Sequence, residues 1–152
     1  MFKNARLIGR RFHLVHVCFG RQIIEVATYR RAAKRPILRG KIKHHAHLKK
    51  DNEYGTRTQD AVRRDFNVNA LYYDIRDDSI IDYAGGVAAL QQGAFAMIGE
   101  PEARYREDPI RLLRALRLMA KLSLQPATAT ADPIAELAPL LASVPSARLF
   151  EE

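Results

Sequence analysis

The sequence predicts an α+β fold, and three observations carry that reading. Two short runs rich in β-branched and aromatic residues, Phe12 to Phe19 and Gln22 to Tyr29, flank a Gly20-Arg21 pair and read as an antiparallel hairpin. Turn signals at Asp77-Asp78 and Gly85-Gly86 bracket a further short strand, Ile80 to Tyr83. Beyond Pro101 the apolar residues recur at three- and four-residue steps, which is helical spacing. Strands first and helices afterwards make an α+β arrangement, with a mixed or antiparallel sheet, rather than a run of βαβ units.

The elements follow in order. Both hairpin strands are apolar on both faces, so a covered sheet is expected. From Arg30 to Lys50 the pattern dissolves into Arg, Lys, His and Ala, and a mobile basic loop is expected over about 31–55. The turn chemistry of Asp51 to Thr56 closes it. Thr58 to Tyr73 has helical spacing, with Val62, Phe66, Ala70 and Tyr73 on one stripe. Val87 to Gln92 reads as a short helix and Ala94 to Ile98 as a short apolar segment. Tyr105 to Leu122 is the strongest helix, with Leu112, Leu113, Leu116, Met119 and Ala120 on one face. Asp132-Pro133 opens another helical stretch, Pro139 should end or kink it, and Ser146 to Glu152 starts a last helix.

A chain of 152 residues with 47% apolar and 28% charged residues can bury a core, which excludes wholesale disorder. No apolar run approaches the ~20 residues that cross a bilayer, and no signal-like segment opens the chain, so a cytoplasmic protein with no membrane partner is expected. The single cysteine, Cys18, excludes an internal disulfide framework and a Cys-rich zinc site, and its apolar neighbours suggest a buried thiol.

Charge is unevenly spread. Residues 1–64 hold 17 basic and 4 acidic residues, a net of +13, and residues 65–152 hold 8 and 13, a net of −5, which together give +8. A basic half this concentrated points to a polyanionic partner through phosphate neutralisation, or else to a solvated basic surface.

Four places invite chemistry. Glu25 lies among Ile23, Ile24, Val26 and Ala27, where an ionised carboxylate needs a metal, a proton-handling role or a salt bridge to a nearby arginine. Arg63-Arg64-Asp65-Phe66-Asn67-Val68-Asn69 joins two guanidiniums suited to phosphates with groups that can bond ribose hydroxyls or hold a carboxylate; the alternative is an exposed helix start. In Glu107-Asp108-Pro109-Ile110-Arg111, with Arg114 and Arg117 following, the arginines fall roughly 160° from the leucine face at ~100° per residue. Asp108 is either an N-cap or an acceptor that reads a base edge beside the Arg111 donors. His44, His45 and His47 sit in the basic loop with no partnering Cys or carboxylate, which favours a solvated loop over a metal site.

Arg63-Arg64-Asp65-Phe66 with Asn69-Ala70, then Glu107-Asp108-Pro109-x-Arg111-x-x-Arg114-Ala115-x-Arg117, resembles the class II nucleotidyltransferases, which comprise bacterial poly(A) polymerase and the tRNA CCA-adding enzymes. Asn4 to Phe12, Glu25 to Arg30, Asp51-Asn52-x-Tyr54-Gly55-Thr56, Arg104 to Pro109 and Ala147 to Glu152 point to the polymerase branch. Asn67 departs from the usual Thr. Residues 1–24 contain neither the Gly-Gly segment nor the Asp-x-Asp pair that opens the family's head, so a fragment is expected: residues 1–100 as the later part of the head and 101–152 as the start of a helical neck, with the missing N-terminal part a possible complementing partner.

By resemblance, Glu25 is implied as a metal-binding carboxylate of a two-Mg2+ site and Asp65 as an active-site residue near the ribose. Arg64 is implied on the nucleotide, Asp108 and Arg111 on its base edge, and Arg114 and Arg117 on its phosphates. The implied reaction is AMP transfer from ATP to RNA 3′ ends, with this chain inactive alone. The alternatives are a CCA-adding enzyme fragment and a basic RNA-binding module without catalysis.

Overall fold

The computed structural model describes residues 3–8, 14–32 and 53–152 and falls into two compact units, Met1–Asp60 and Ala61–Glu152, each treated by itself. In the first unit β1 (Ala5–Ile8), β2 (Leu14–Phe19) and β3 (Gln22–Ala27) form an antiparallel sheet in the order β1-β2-β3. Phe19 pairs with Gln22 across the Gly20-Arg21 loop, and Gly20 takes φ +59°, which a residue without Cβ adopts at no steric cost. Cys18 is half-buried rather than buried.

The covered-sheet expectation fails at β3, which is exposed along its whole length, with Ile24 54% accessible. It is one of the two edge strands of this sheet. Part of the expected loop is also ordered. β4 (Arg30–Arg31) pairs antiparallel with β5 (Glu53–Tyr54), and Arg31 Nε sits 2.8 Å from Glu53 Oε2. Gly55 is required beside this ladder, because a Cβ there would lie 2.7 Å from the Arg30 carbonyl carbon. Residues 33–52, including His44, His45, His47 and most of the expected basic loop, lie outside the described residues.

The unit boundary falls within α1 (Arg57–Arg63). The helix expected to run to Tyr73 stops here. A 3-10 turn (Asn67–Asn69) follows, and then β6 (Leu71–Asp74) pairs antiparallel with β7 (Ser79–Asp82). The helix breaks because side chains offer its backbone other partners. Asp65 Oδ1 accepts from the Phe66 amide at 2.8 Å, and Asn67 Oδ1 accepts from the Val68 and Ala96 amides at 2.9 Å each. α2 (Gly86–Gln91) begins after Gly85 at φ +72° and lies against this turn.

β8 (Ala94–Phe95) pairs in parallel with β9 (Gln125–Pro126), and the crossover between them carries α3 (Pro101–Glu107) and α4 (Ile110–Leu122). The single helix expected from Tyr105 to Leu122 is thus two. Pro109 lacks an amide hydrogen and pushes the preceding residue out of the helical region, and Asp108 is extended at φ −144°, ψ 97°. The buried face of α4 is Ile110, Leu112, Ala115 and Leu118, whereas Leu116 is 45% accessible.

Leu112, Ala115 and Leu118 join Phe66, Phe95, Met97 and Tyr105 in one core, with Phe66 edge-on to Phe95 at 5.1 Å. α5 (Thr128–Ala131), α6 (Pro133–Leu137), a 3-10 stretch from Ala138 and α7 (Ser146–Glu151) complete the unit. Thr130 is buried with its three polar groups used: Oγ1 accepts from the Met97 amide at 2.9 Å, its carbonyl from Tyr105 OH at 3.0 Å, and its amide donates to the Ala127 carbonyl at 2.8 Å. Burial pushes the Tyr105 phenol up to about 12. Among the described residues no helix is long and apolar enough to cross a membrane.

Candidate functional site

In the second unit Asp65 meets Arg114 of α4, while Arg64, Arg111 and Arg117 have other partners. Asp65 follows α1 with its carboxylate held in place: Oδ1 accepts from the Phe66 amide and from Asn69 Nδ2 at 3.1 Å, and Oδ2 faces Arg114 Nη1 at 3.3 Å. An asparagine therefore does hold this carboxylate, and Asp65 is not an exposed helix start. Arg64 lies over the Tyr72 ring with its guanidinium carbon 5.3 Å from the centroid, and Nη1 donates to the Asn69 carbonyl at 3.2 Å.

The arginine stripe meets carboxylates. Arg114 Nε is 2.8 Å from Glu152 Oε2, and Arg117 Nη2 is 2.7 Å from Glu152 Oε1. Burial pushes the Arg114 guanidinium down, but hydrogen bonding to Glu152 and the charges of Glu152 and Asp65 outweigh it, and the net shift is upward. Arg114 is therefore a fixed cation, roughly 40% accessible, standing between two carboxylates.

Asp108 and Arg111 flank the α3–α4 elbow. The residue directly before α4 is Pro109, and the Asp108 side chain pairs with Arg148, Oδ2 lying 3.0 Å from Nη2. Arg111 is largely covered, with Nη1 donating to the Arg104 carbonyl at 2.6 Å and to Glu107 Oε2 at 2.9 Å. An acceptor and a planar donor thus occupy the same elbow, on opposite sides of Pro109. Sequence reasoning passed over Arg104 and over Glu152 as partners. Both stand in motifs that were recognised, but their bonds span tens of residues and no local spacing signals them.

Glu25 belongs to the first unit. Its carboxylate is 63% accessible, and Oε1 lies 3.1 Å from His16 Nε2, the residue directly across the ladder. Of the readings left open for Glu25, the salt bridge is made with a histidine set opposite it by the strand register and not with an arginine. Among the described residues no three His, Cys, Asp or Glu side chains gather as a cation site. Glu25 offers one accessible oxygen ligand, which fits a share in a metal site and not the whole of one.

A family model described as the Poly A polymerase head domain matches residues 1–96. Poly(A) polymerase I of Salmonella typhi is 49% identical over 158 aligned residues, covering 100% of this chain and 33% of that protein. The CCA-adding enzyme of Bacillus licheniformis is 37% identical over 90 residues, 59% of this chain and 22% of its own. A crystal structure of the Bacillus stearothermophilus CCA-adding enzyme in complex with CTP superposes with a TM-score of 0.75 at 28% identity, over 95% of this chain and 32% of that one. The chain spans about a third of the length of these polymerases. With the head-domain model matched over more than half its residues and its α+β architecture shared with a solved nucleotidyltransferase, the chain belongs to the poly(A) polymerase head-domain family.

Proposed function

We propose that this chain carries the nucleotide-selecting part of a poly(A) polymerase, which transfers AMP from ATP to an RNA 3′ hydroxyl with release of pyrophosphate. The observation that carries the reading is the whole-chain identity of 49% to a poly(A) polymerase, against a match to CCA-adding enzymes over only part of the chain. The end of the head-domain match at residue 96 supports a head ending near residue 100 and a helical neck beyond it. RNA is the polyanion that the +13 of residues 1–64 would meet, and a bacterial RNA-processing enzyme works in the cytoplasm.

Asp108 and Arg111 would form a protein template. Adenine and cytosine present an amino donor beside a ring-nitrogen acceptor, whereas guanine and uracil present the reverse. A carboxylate acceptor next to a guanidinium donor satisfies the first pair of bases and leaves unpaired groups with the second. The choice of ATP over CTP then rests on base size, not on the edge. Arg114 and Arg117 would take phosphate oxygens in exchange for Glu152, while Asp65 and Arg64 would hold the ribose side of the nucleotide. Magnesium, when bound, clamps the attacking and leaving oxygens of such a transfer, and Glu25 would supply one of its ligands.

Titrating the purified chain with ATP, GTP and CTP tests this reading. ATP should bind about tenfold or more tighter than GTP, since a mispaired buried polar group costs ~1–3 kcal/mol. Equal binding of ATP and GTP would sink the template, and preference for CTP over ATP would favour the CCA-adding alternative.

A further inference from the structure

Arg104 ties together the two segments that carry the nucleotide reading, and no role described above uses it. Its Nη2 donates to the carbonyls of Arg63 and Arg64 at 2.8 Å each. These carbonyls lie where α1 ends, among groups that lack intrahelical partners, and a cation there also meets the negative end of the helix. The next residue is Asp65. On its other side Arg104 Nη1 lies 2.6 Å from Glu107 Oε2, and that same oxygen accepts from Arg111 Nη1 at 2.9 Å. A single side chain thus spans from the backbone before Asp65 to the carboxylate that holds Arg111.

We propose that Arg104, acting with Glu107, is a positioning residue that locks the Arg63–Ala70 turn to the α3–α4 elbow and so fixes Asp65 and Arg111 relative to each other. The proposal rests on the nucleotide-site reading for its functional half only. The arrangement is dearer than packing requires. Arg104 is 18% accessible, and two guanidiniums share one carboxylate oxygen. Burial, then the Arg111 charge, push the Arg104 guanidinium down while Glu107 pushes it up, and the net shift is downward. An apolar residue would fill the same space without that cost but would grip neither carbonyl. Lysine would keep the charge and lose the rigid fork that serves two directions at once.

The bonds that report on the lock are also defined. The turn it holds is closed by Asn67 N to Ala96 O, Asn69 N to Phe66 O, Ala70 N to Asn67 O and Ile98 N to Asp65 O, at 2.8 to 3.0 Å. Loosening Arg104 should expose these amides before it exposes the β6–β7 hairpin, which has its own ladder.

The test compares the parent chain with Arg104→Lys and Glu107→Gln, measuring amide exchange and the affinities for ATP and GTP. In Arg104→Lys, exchange at Asn67, Asn69, Ala70 and Ile98 should rise about tenfold while the β6–β7 amides change less than about threefold. In both variants the preference for ATP over GTP should fall about fivefold or more. Uniform acceleration, or no acceleration, would reduce Arg104 to an ordinary structural contact and overturn the lock. Local acceleration with an unchanged ATP-to-GTP ratio would overturn its role in positioning the nucleotide site. If the parent binds neither nucleotide, the proposed function fails, and the exchange pattern alone decides the lock by the same criteria.

Discussion

Arg148 Nη2 lies 3.0 Å from Asp108 Oδ2, so the final helix reaches back and holds the carboxylate at the elbow between α3 and α4. Forty residues of chain separate the two. The carboxylate is thereby aimed by a partner and not by the helix it precedes, which separates its role from capping.

Asp108→Ala should therefore cost little stability. The pair is partly accessible, and such pairs contribute ~0–1 kcal/mol. The variant should nonetheless narrow the gap between ATP and GTP binding, because it removes the acceptor for the amino group. Arg148→Ala should act in the same direction more weakly, by letting the carboxylate swing. Nucleotide titrations beside melting curves check both variants. A lowered melting temperature with an unaltered ATP-to-GTP ratio would return Asp108 to a purely structural part.

Gly86→Ala should destabilise, although alanine in a helix usually stabilises by up to ~1 kcal/mol over glycine. A Cβ at Gly86 would lie 2.4 Å from the Asn67 carbonyl oxygen and 3.1 Å from Leu71 Cδ2. The turn that carries Asn67 must shift, at ~1–3 kcal/mol by comparison with overpacked sites. Chemical denaturation gives the sign directly, and a more stable variant would show that the turn yields freely.

Asp82 should make stability fall in acid. Burial pushes its carboxyl up, but the amides of Val87, Ala84, Gly86 and Gly85 pull it further down, leaving it below the usual carboxylate value. Oδ2 accepts from the Val87 amide at 2.9 Å and Oδ1 from the Ala84 amide at 3.0 Å. A depressed folded-state value contributes stability above the unfolded value, near pH ~4, and loses it as pH falls through the folded value. Asp82→Ala should cost ~1 kcal/mol at neutral pH, as other lost caps do, with the difference shrinking below pH ~4. Melting temperatures of both proteins between pH 7 and pH 3 measure it, and a constant difference would contradict the assignment.

RNA binding should depend steeply on salt and little on sequence, because the +13 of residues 1–64 acts through phosphate neutralisation. Deleting residues 31–50 should weaken binding and flatten the slope of log affinity against log salt. Filter binding of single-stranded RNA at several salt concentrations provides the slopes. Identical slopes would place the contact elsewhere.

The hairpin around Gly20, the strand before Tyr83, the Gly85 turn and the last helix were legible because each is decided locally. A glycine with positive φ, a β-branched run or a proline at a helix start acts within a few residues. The stretch from Thr58 to Tyr73 misled because its apolar spacing is that of a helix, while Asp65 and Asn67 bond the backbone that a helix needs. Asn67 does so by reaching the Ala96 amide, a partner that spacing cannot reveal. The α4 face shifted for a related reason. Ala115 and Leu118 face the core across the parallel crossover, and Leu116, equally apolar, points to solvent. The residues of the proposed site stand in motifs, yet the partners they meet, Arg148 for Asp108 and the Arg104 carbonyl for Arg111, come from pairings across distant or differently turned elements.

The short parallel pair of β8 and β9 closes the chain on itself around the elbow. Gln125 N bonds Gly93 O and Ala127 N bonds Phe95 O, both at 2.8 Å, so α3 and α4 form an arc clasped at its two ends. Such a ring is slow to close, since distant segments must meet before any bond rewards them. Once closed it needs no covalent continuity at its crown. A single cut at exposed Gly99-Glu100, near the start of the arc, should leave both pieces together and the elbow in place, because the β8–β9 pair then holds one piece to the other.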